Sequence, residues 1–136
     1  MTLTAAQIAE YRDKGYVLVP RLLDAQEIAV LNGAVEEVTR RTGPDVMREK
    51  DGAPHVVYGM HLLDPRFRAL SRHPELVGLA TELLGSPIYV HQSRVNVKQY
   101  GGAIVDWHQD FGTYHRVDGV PRPDGIMISV FLDDIN

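Results

Sequence analysis

Trp107-His108-Gln109-Asp110-Phe111, preceded by Val90-His91-Gln92-Ser93-Arg94-Val95-Asn96-Val97-Lys98, is the pair of runs around which the rest of the chain can be ordered. Successive side chains of a strand alternate between faces, so His108 and Asp110 on a strand would point the same way. An imidazole nitrogen and a carboxylate oxygen on one face can close on a single ion. With a second histidine they would complete the three-ligand facial site of non-haem Fe(II) oxygenases. A bare His-x-Asp also occurs as an ordinary hydrogen-bonded pair or in a solvated loop, so its neighbours have to decide.

In the preceding run, period two places Gln92, Arg94, Asn96 and Lys98 on one face of a strand and His91, Ser93, Val95 and Val97 on the other. The first face carries long hydrogen-bonding groups and two cations. It is either the wet side of a half-exposed strand or the inner wall of a barrel that binds carboxylates through charge-assisted bonds. Gly101-Gly102 supplies a turn between the two runs. Beyond Asp110, the residues Gly119, Pro121 and Pro123 predict a loop. The nearly all-apolar stretch over 126–132 predicts a buried strand.

Upstream, helical signals dominate. Thr4 is placed to cap a helix running to about Lys14, with Gly15 as its stop. Tyr16-Val17-Leu18-Val19 predicts a short strand ended by Pro20. Asp24-Ala25-Gln26-Glu27 has the form of a capping box and opens a helix to about Arg41, with Ile28, Leu31, Val35 and Val38 at helical spacing. Asp51-Gly52 marks a turn before a strand over 55–58. Asp64-Pro65 starts a helical turn through about Ser71, and Pro74 opens a helix carrying Leu76, Leu79, Ala80, Leu83 and Leu84 to Gly85. These signals predict one α+β domain over 1–136, helical over 1–85 and β-rich over 86–136.

Composition narrows the partners. With 136 residues, 44% hydrophobic and 24% charged, the chain suits a single globular domain with its own core. A net charge of -4 gives no electrostatic reason to expect nucleic acid or an anionic membrane. Cysteine is absent, which excludes disulfides, thiolate metal sites and a cysteine nucleophile. The first residues form neither a basic nor an apolar targeting region, and no run is long enough to span a bilayer. A cytoplasmic location is the expectation.

The same two runs, together with Asp118-Gly119-Val120-Pro121 and Ser129-Val130-Phe131-Leu132, resemble the phytanoyl-CoA dioxygenase family. Within it they are most similar to the ectoine-hydroxylase and free-amino-acid (leucine-type) hydroxylase branches. Leu3-Thr4-Ala5-Ala6-Gln7 and Gly15-Tyr16-Val17-Leu18-Val19 resemble that family's opening helix and strand, so the resemblance spans nearly the whole chain. It implies N-terminal helices packed on part of a double-stranded β-helix (jelly-roll, cupin-like) core. The implied activity is Fe(II)- and 2-oxoglutarate-dependent hydroxylation of a C–H bond with O2, on a small amino acid or derivative, with a homodimer as a possible assembly.

Carried over position by position, the resemblance makes His108 and Asp110 the first two iron ligands. It makes Gln92 and Asn96 cosubstrate-binding residues, and Arg94 and Tyr114 substrate-binding residues. The family commonly has Trp at the place of Tyr114 and often a small polar residue at that of Met127, which sets this chain apart from ectoine hydroxylase itself. Asp110 points to a hydroxylase, since the halogenase branch lacks that carboxylate. The family's third ligand, a distal histidine, and its 2-oxoglutarate-clamping arginine fall downstream of these motifs. The chain therefore resembles the N-terminal half of such an enzyme and is not expected to turn over alone. The alternative is a catalytically incomplete fragment or pseudoenzyme that keeps the fold for binding or assembly. For His55, His61, His73, His91 and His115 the expectation is structural.

Overall fold

The computed structural model describes residues 2–99 and 101–134. Two capping boxes fix the first helices. In α1 (Ala5–Lys14) the Thr4 side chain accepts from the Gln7 backbone N–H, while the Gln7 side chain returns to the Thr4 N–H. In α2 (Ala25–Thr39) Asp24 and Glu27 make the same exchange at 2.8 Å each way. Each box satisfies two backbone donors that a helix start leaves orphaned.

A hairpin follows, β1 (Val46–Arg48) against β2 (Pro54–Tyr58), turning through Asp51 and Gly52 as those residue types predict. Two short helices, α3 (Met60–Leu63) and α4 (Pro65–Leu70), lead to α5 (Pro74–Leu84). Strand β3 (Arg94–Asn96) completes an antiparallel sheet of order β1-β2-β3, with Val57 opposite Val95 and Tyr58 opposite Arg94. The core lies between the sheet and the helices. Leu31, Ala34 and Val38 of α2 meet Val57, Met60 and Phe67, and Val95 packs against them. Val97 is half-buried, and its N–H donates to the His55 carbonyl. A sheet face and a helix stripe have covered each other, as the apolar periodicity requires.

Asp64 bolts α4 to α2. It is nearly buried at 7% exposure and caps α4 by accepting from the Arg66 N–H. The Arg66 guanidinium grips Asp64 through Nε and Nη2, then reaches across to both Glu37 oxygens at 3.0 and 2.6 Å. The Arg66 hydrogen bond is the main cause that holds the Asp64 carboxyl below its ordinary range. A carboxyl depressed in the folded state stabilises fully above about pH 4, and that contribution fades as pH falls through the folded value. Asp64→Ala should therefore cost roughly 1–2 kcal/mol at neutral pH by urea unfolding, the usual value of a lost cap, and the deficit should shrink in acid.

The α+β character holds, but three expected segments differ. Residues 16–19 form no strand. Past Gly85 the described residues are not β-rich: they hold the three-residue β3 and a helix, α6 (Asp110–Asp118), where a loop was expected. Residues 126–132 join no ladder, although Leu132 reaches the core and its carbonyl accepts from Asn32. The reason is common to all three. A strand exists only through hydrogen bonds to another strand, so an apolar run without a neighbour among the described residues stays irregular. A helix satisfies its own backbone, and α6 had local signals: Asp110 in its first turn, His115 and Arg116 in its last, and Gly119 at φ 70 closing it through the Tyr114 carbonyl.

Among the described residues, no helix is long and apolar enough to cross a membrane.

Candidate active site

Chain direction into the site is set by the turn after β3. Gly101 adopts φ 77, a conformation that favours glycine. The Gly102 N–H donates to the Gln99 carbonyl, and the Ala103 N–H donates to Glu49 Oε1. This pins the segment that leads to Trp107 onto the β1–β2 hairpin.

His108 and Asp110 converge, though not by strand alternation. Gln109 is the extended cap residue of α6 and Asp110 is the helix's first residue, which turns its carboxylate back toward the preceding histidine. His108 Nε2 lies 3.3 Å from Asp110 Oδ1. Two donors bound at right angles to one ion, each by a bond of about 2.1 Å, would stand about 3 Å apart, so the spacing fits a shared metal. The other ring nitrogen settles the tautomer. His108 Nδ1 lies 2.8 Å from the Asp106 carbonyl, which can only accept, so Nδ1 carries the proton. In the neutral ring, the Nε2 lone pair then stands beside the carboxylate without being spent in a hydrogen bond to it, so both groups are left for one cation.

That feature separates the pair from the other histidine–carboxylate contacts among the described residues. His91 Nε2 reaches Asp118 Oδ2 at 3.1 Å with no competing acceptor on its other nitrogen, so its ring simply donates. His73 Nε2 stands 3.5 Å from Glu27 Oε1. His55 Nδ1 is 2.8 Å from Glu49 Oε1, although not along a hydrogen-bond direction. Only His108 of these four has its second nitrogen tied to a carbonyl, the usual way a protein orients a metal-binding imidazole. Among the described residues, no group of three or more His, Cys, Asp or Glu side chains is placed to hold one ion.

The structure gathers part of the expected binding wall. The Tyr114 hydroxyl donates to Gln92 Oε1 at 3.1 Å, linking α6 to the approach of β3. Burial chiefly, then the nearby Asp110 charge, raises the Tyr114 pKa, while Arg94 opposes the shift and Asp118 adds to it. Gln92, Arg94, Asp110 and Tyr114 are thus within one electrostatic neighbourhood. Asn96 is exposed and makes no hydrogen bond with any of them. His91 departs from the alternation argument: residues 88–93 are not a strand, so His91 and Gln92 both contact Tyr114 from adjacent positions. Two further histidines have local partners, His61 Nδ1 against Ser93 Oγ at 2.6 Å and His115 Nδ1 against the Val120 carbonyl at 2.8 Å.

The site is open. The His108 side chain is 51% exposed and that of Asp110 27%. Two clefts lie elsewhere. One, of about 690 Å³, sits where the starts of α2 and α5 meet, beside Arg21 and His73; the other, of about 410 Å³, lies between His61, Arg72 and Tyr89.

Comparison with known proteins places this geometry in context. The family model for phytanoyl-CoA dioxygenase (PhyH) matches residues 11–136. The chain is 39% identical over 135 residues to L-proline trans-4-hydroxylase of Streptomyces griseoviridis, covering 98% of this chain and 50% of that protein. It is 36% identical over 142 residues to ectoine dioxygenase of Bordetella bronchiseptica, covering 98% and 46% respectively. The fold is similar to the crystal structure of EctD from S. alaskensis with 2-oxoglutarate and 5-hydroxyectoine, with a TM-score of 0.82 at 28% identity over 88% of this chain and 45% of that one. The EctD structure with bound Fe gives a TM-score of 0.77 at 27% identity, over 83% and 42%. The chain spans about half the length of the curated relatives it matches.

Proposed function

This chain belongs to the phytanoyl-CoA dioxygenase family, and from that premise we propose that it supplies the first two iron ligands, His108 and Asp110, of an Fe(II)- and 2-oxoglutarate-dependent hydroxylase. The observation that carries the reading is His108 Nε2 standing 3.3 Å from Asp110 Oδ1 without a hydrogen bond between them, with Nδ1 fixed by the Asp106 carbonyl. Fe(II), when bound, supplies the activation of O2 that is coupled to decarboxylation of 2-oxoglutarate. The described sheet β1-β2-β3 forms part of a double-stranded β-helix on which the helices pack.

The protein's own residues orient and bind. Asp110 neutralises part of the metal charge and His108 sets its direction. Gln92 and Asn96 donate side-chain amide hydrogens to 2-oxoglutarate. Arg94, which has no hydrogen-bonded partner among the described residues, is free to pair with a substrate carboxylate. The relatives' names, a proline hydroxylase and ectoine dioxygenases, support a small amino acid or cyclic amino-acid derivative as the substrate class.

The test is oxygen consumption and succinate formation by the full-length gene product, given Fe(II), 2-oxoglutarate and a panel of free amino acids and cyclic derivatives. Substrate-dependent succinate is expected; its absence across the panel, with iron bound, would refute the substrate class. Arg94→Ala should raise KM for the amino acid about 10–100-fold, the worth of a charge-assisted pair, while barely moving that for 2-oxoglutarate. Asn96→Ala should do the reverse with a smaller effect. Equal losses in both constants from either change would show that the roles are wrongly divided.

A further inference from the structure

We propose that Tyr114 is a positioning residue, held by the His91–Asp118 pair, whose hydroxyl fixes the Gln92 side chain so that its NH2 group is presented as a hydrogen-bond donor to a carboxylate. The positioning stands on contacts within this chain; only the identity of the carboxylate, 2-oxoglutarate, rests on the reading of Gln92 given above.

The contacts form a continuous line. Asp118 Oδ2 accepts from His91 Nε2 at 3.1 Å. The His91 ring meets the Tyr114 ring edge-to-face, with centroids 4.6 Å apart and planes at 70°, and Tyr89 approaches His91 at 6.2 Å and 76°. Such edge-to-face pairs sit within the favoured range for aromatic rings. The Tyr114 hydroxyl then donates to Gln92 Oε1 at 3.1 Å.

Chemistry gives this line a direction. A primary amide accepts at one end and donates at the other, and its two ends are nearly the same size. An unrestrained glutamine would offer a ligand either end. A hydroxyl donor bound to Oε1 removes that choice and leaves Nε2 to donate. The Tyr114 hydroxyl keeps its proton throughout the neutral range, since its pKa is raised, chiefly by burial.

Asp118 supplies an independent argument. It is the last residue of α6, where the helix dipole disfavours a negative charge. A carboxylate there does nothing for the helix, and its contact is with His91. The same helix begins at Asp110, so fastening its far end to the segment bearing Gln92 sets the metal-facing carboxylate and the amide donor in one frame.

The experiment reads the Gln92 side-chain amide directly by 1H–15N NMR on the 136-residue chain, assigned with Gln92→Ala. In the parent, the Gln92 NH2 signals should stand apart from those of solvent-exposed glutamines and show contacts to the Tyr114 ring. Tyr114→Phe keeps the ring and should return them to the exposed position. Asp118→Ala, which does not touch Gln92 and relieves the helix terminus, should move them part of the way. Unchanged Val57 methyl signals confirm the fold in each variant. Gln92 signals unaffected by either substitution would overturn the proposal. With Zn(II) present as a diamagnetic metal, added 2-oxoglutarate should shift the amide saturably, and Tyr114→Phe should need about fivefold more, the worth of one neutral hydrogen bond. An amide ordered by Tyr114 that 2-oxoglutarate leaves unmoved would overturn the dicarboxylate reading and leave the positioning role standing.

Discussion

Asp110→Ala and His108→Ala are each expected to lower divalent-metal affinity by at least a factor of about 100, since groups that merely orient a metal-bound histidine are already worth about 10–100-fold. In the full-length gene product, succinate formation should fall at least as far. The separation from a folding defect is built into the helix. Asp110 sits in the first turn of α6, where its charge complements the dipole by about 0.3–1 kcal/mol. Asp110→Asn keeps the shape and much of the local hydrogen bonding, yet should lose metal almost as completely. His108 is half exposed, so its removal opens no cavity. Anaerobic Fe(II) loading followed by a count of iron per chain distinguishes the outcomes; undiminished binding by either variant would place the metal elsewhere.

Val57→Asp should leave the chain unfolded. Val57 is fully buried in the central strand, opposite Val46 and Val95, and touches the α2 face that holds the core together. An unpaired carboxylate there costs several kcal/mol, comparable with the 5–15 kcal/mol total stability of a small domain. Val57→Ala should be survivable, with a loss of about 1–3 kcal/mol from a shorter side chain and its cavity. Trp107→Ala provides the contrast: Trp107 is wholly exposed, and its removal should shift stability by less than about 0.5 kcal/mol. Urea unfolding followed by circular dichroism ranks the three, and a folded Val57→Asp would mean that the sheet does not hold the core.

What could be read in advance follows the range of the interactions. Thr4, Asp24 and Pro74 announce their helices because a cap acts within one turn, and α1, α2 and α5 start where those residues stand. The inward face of α2 was legible at Leu31 and Val38, since helical spacing alone selects it. Strands depend on distant partners, so Tyr16-Val17-Leu18-Val19 and the run over 126–132 carried strand-like residues without forming strands. Helix α6 is hard to read because Gly112 and Thr113 are weak helix formers and the Gly119–Pro121–Pro123 series predicts a loop; its acidic start, basic end and glycine stop are the signals that favour a helix. At the site, strand alternation predicts the convergence of His108 and Asp110 but does not produce it. A cap residue and a first helical turn bring them together instead of a pleat. The hydrogen bond from Tyr114 to Gln92 was beyond sequence reasoning, because it joins residues 22 positions apart through a helix the sequence concealed.

The most direct measurement is paramagnetic broadening of the six histidine ring signals as Mn(II) is added in substoichiometric amounts. The chain contains rival histidine–carboxylate contacts at His55, His73 and His91, so the metal has real alternatives. Among these four, only His108 couples a carbonyl-bound Nδ1 to an Nε2 that lies close to a carboxylate without a hydrogen bond to it. Its ring signals and the Asp110 backbone amide should broaden first, and Asp110→Ala should abolish that preference. Earlier broadening at His55, His73 or His91, or uniform broadening of all six, would contradict the assignment of the metal to His108 and Asp110.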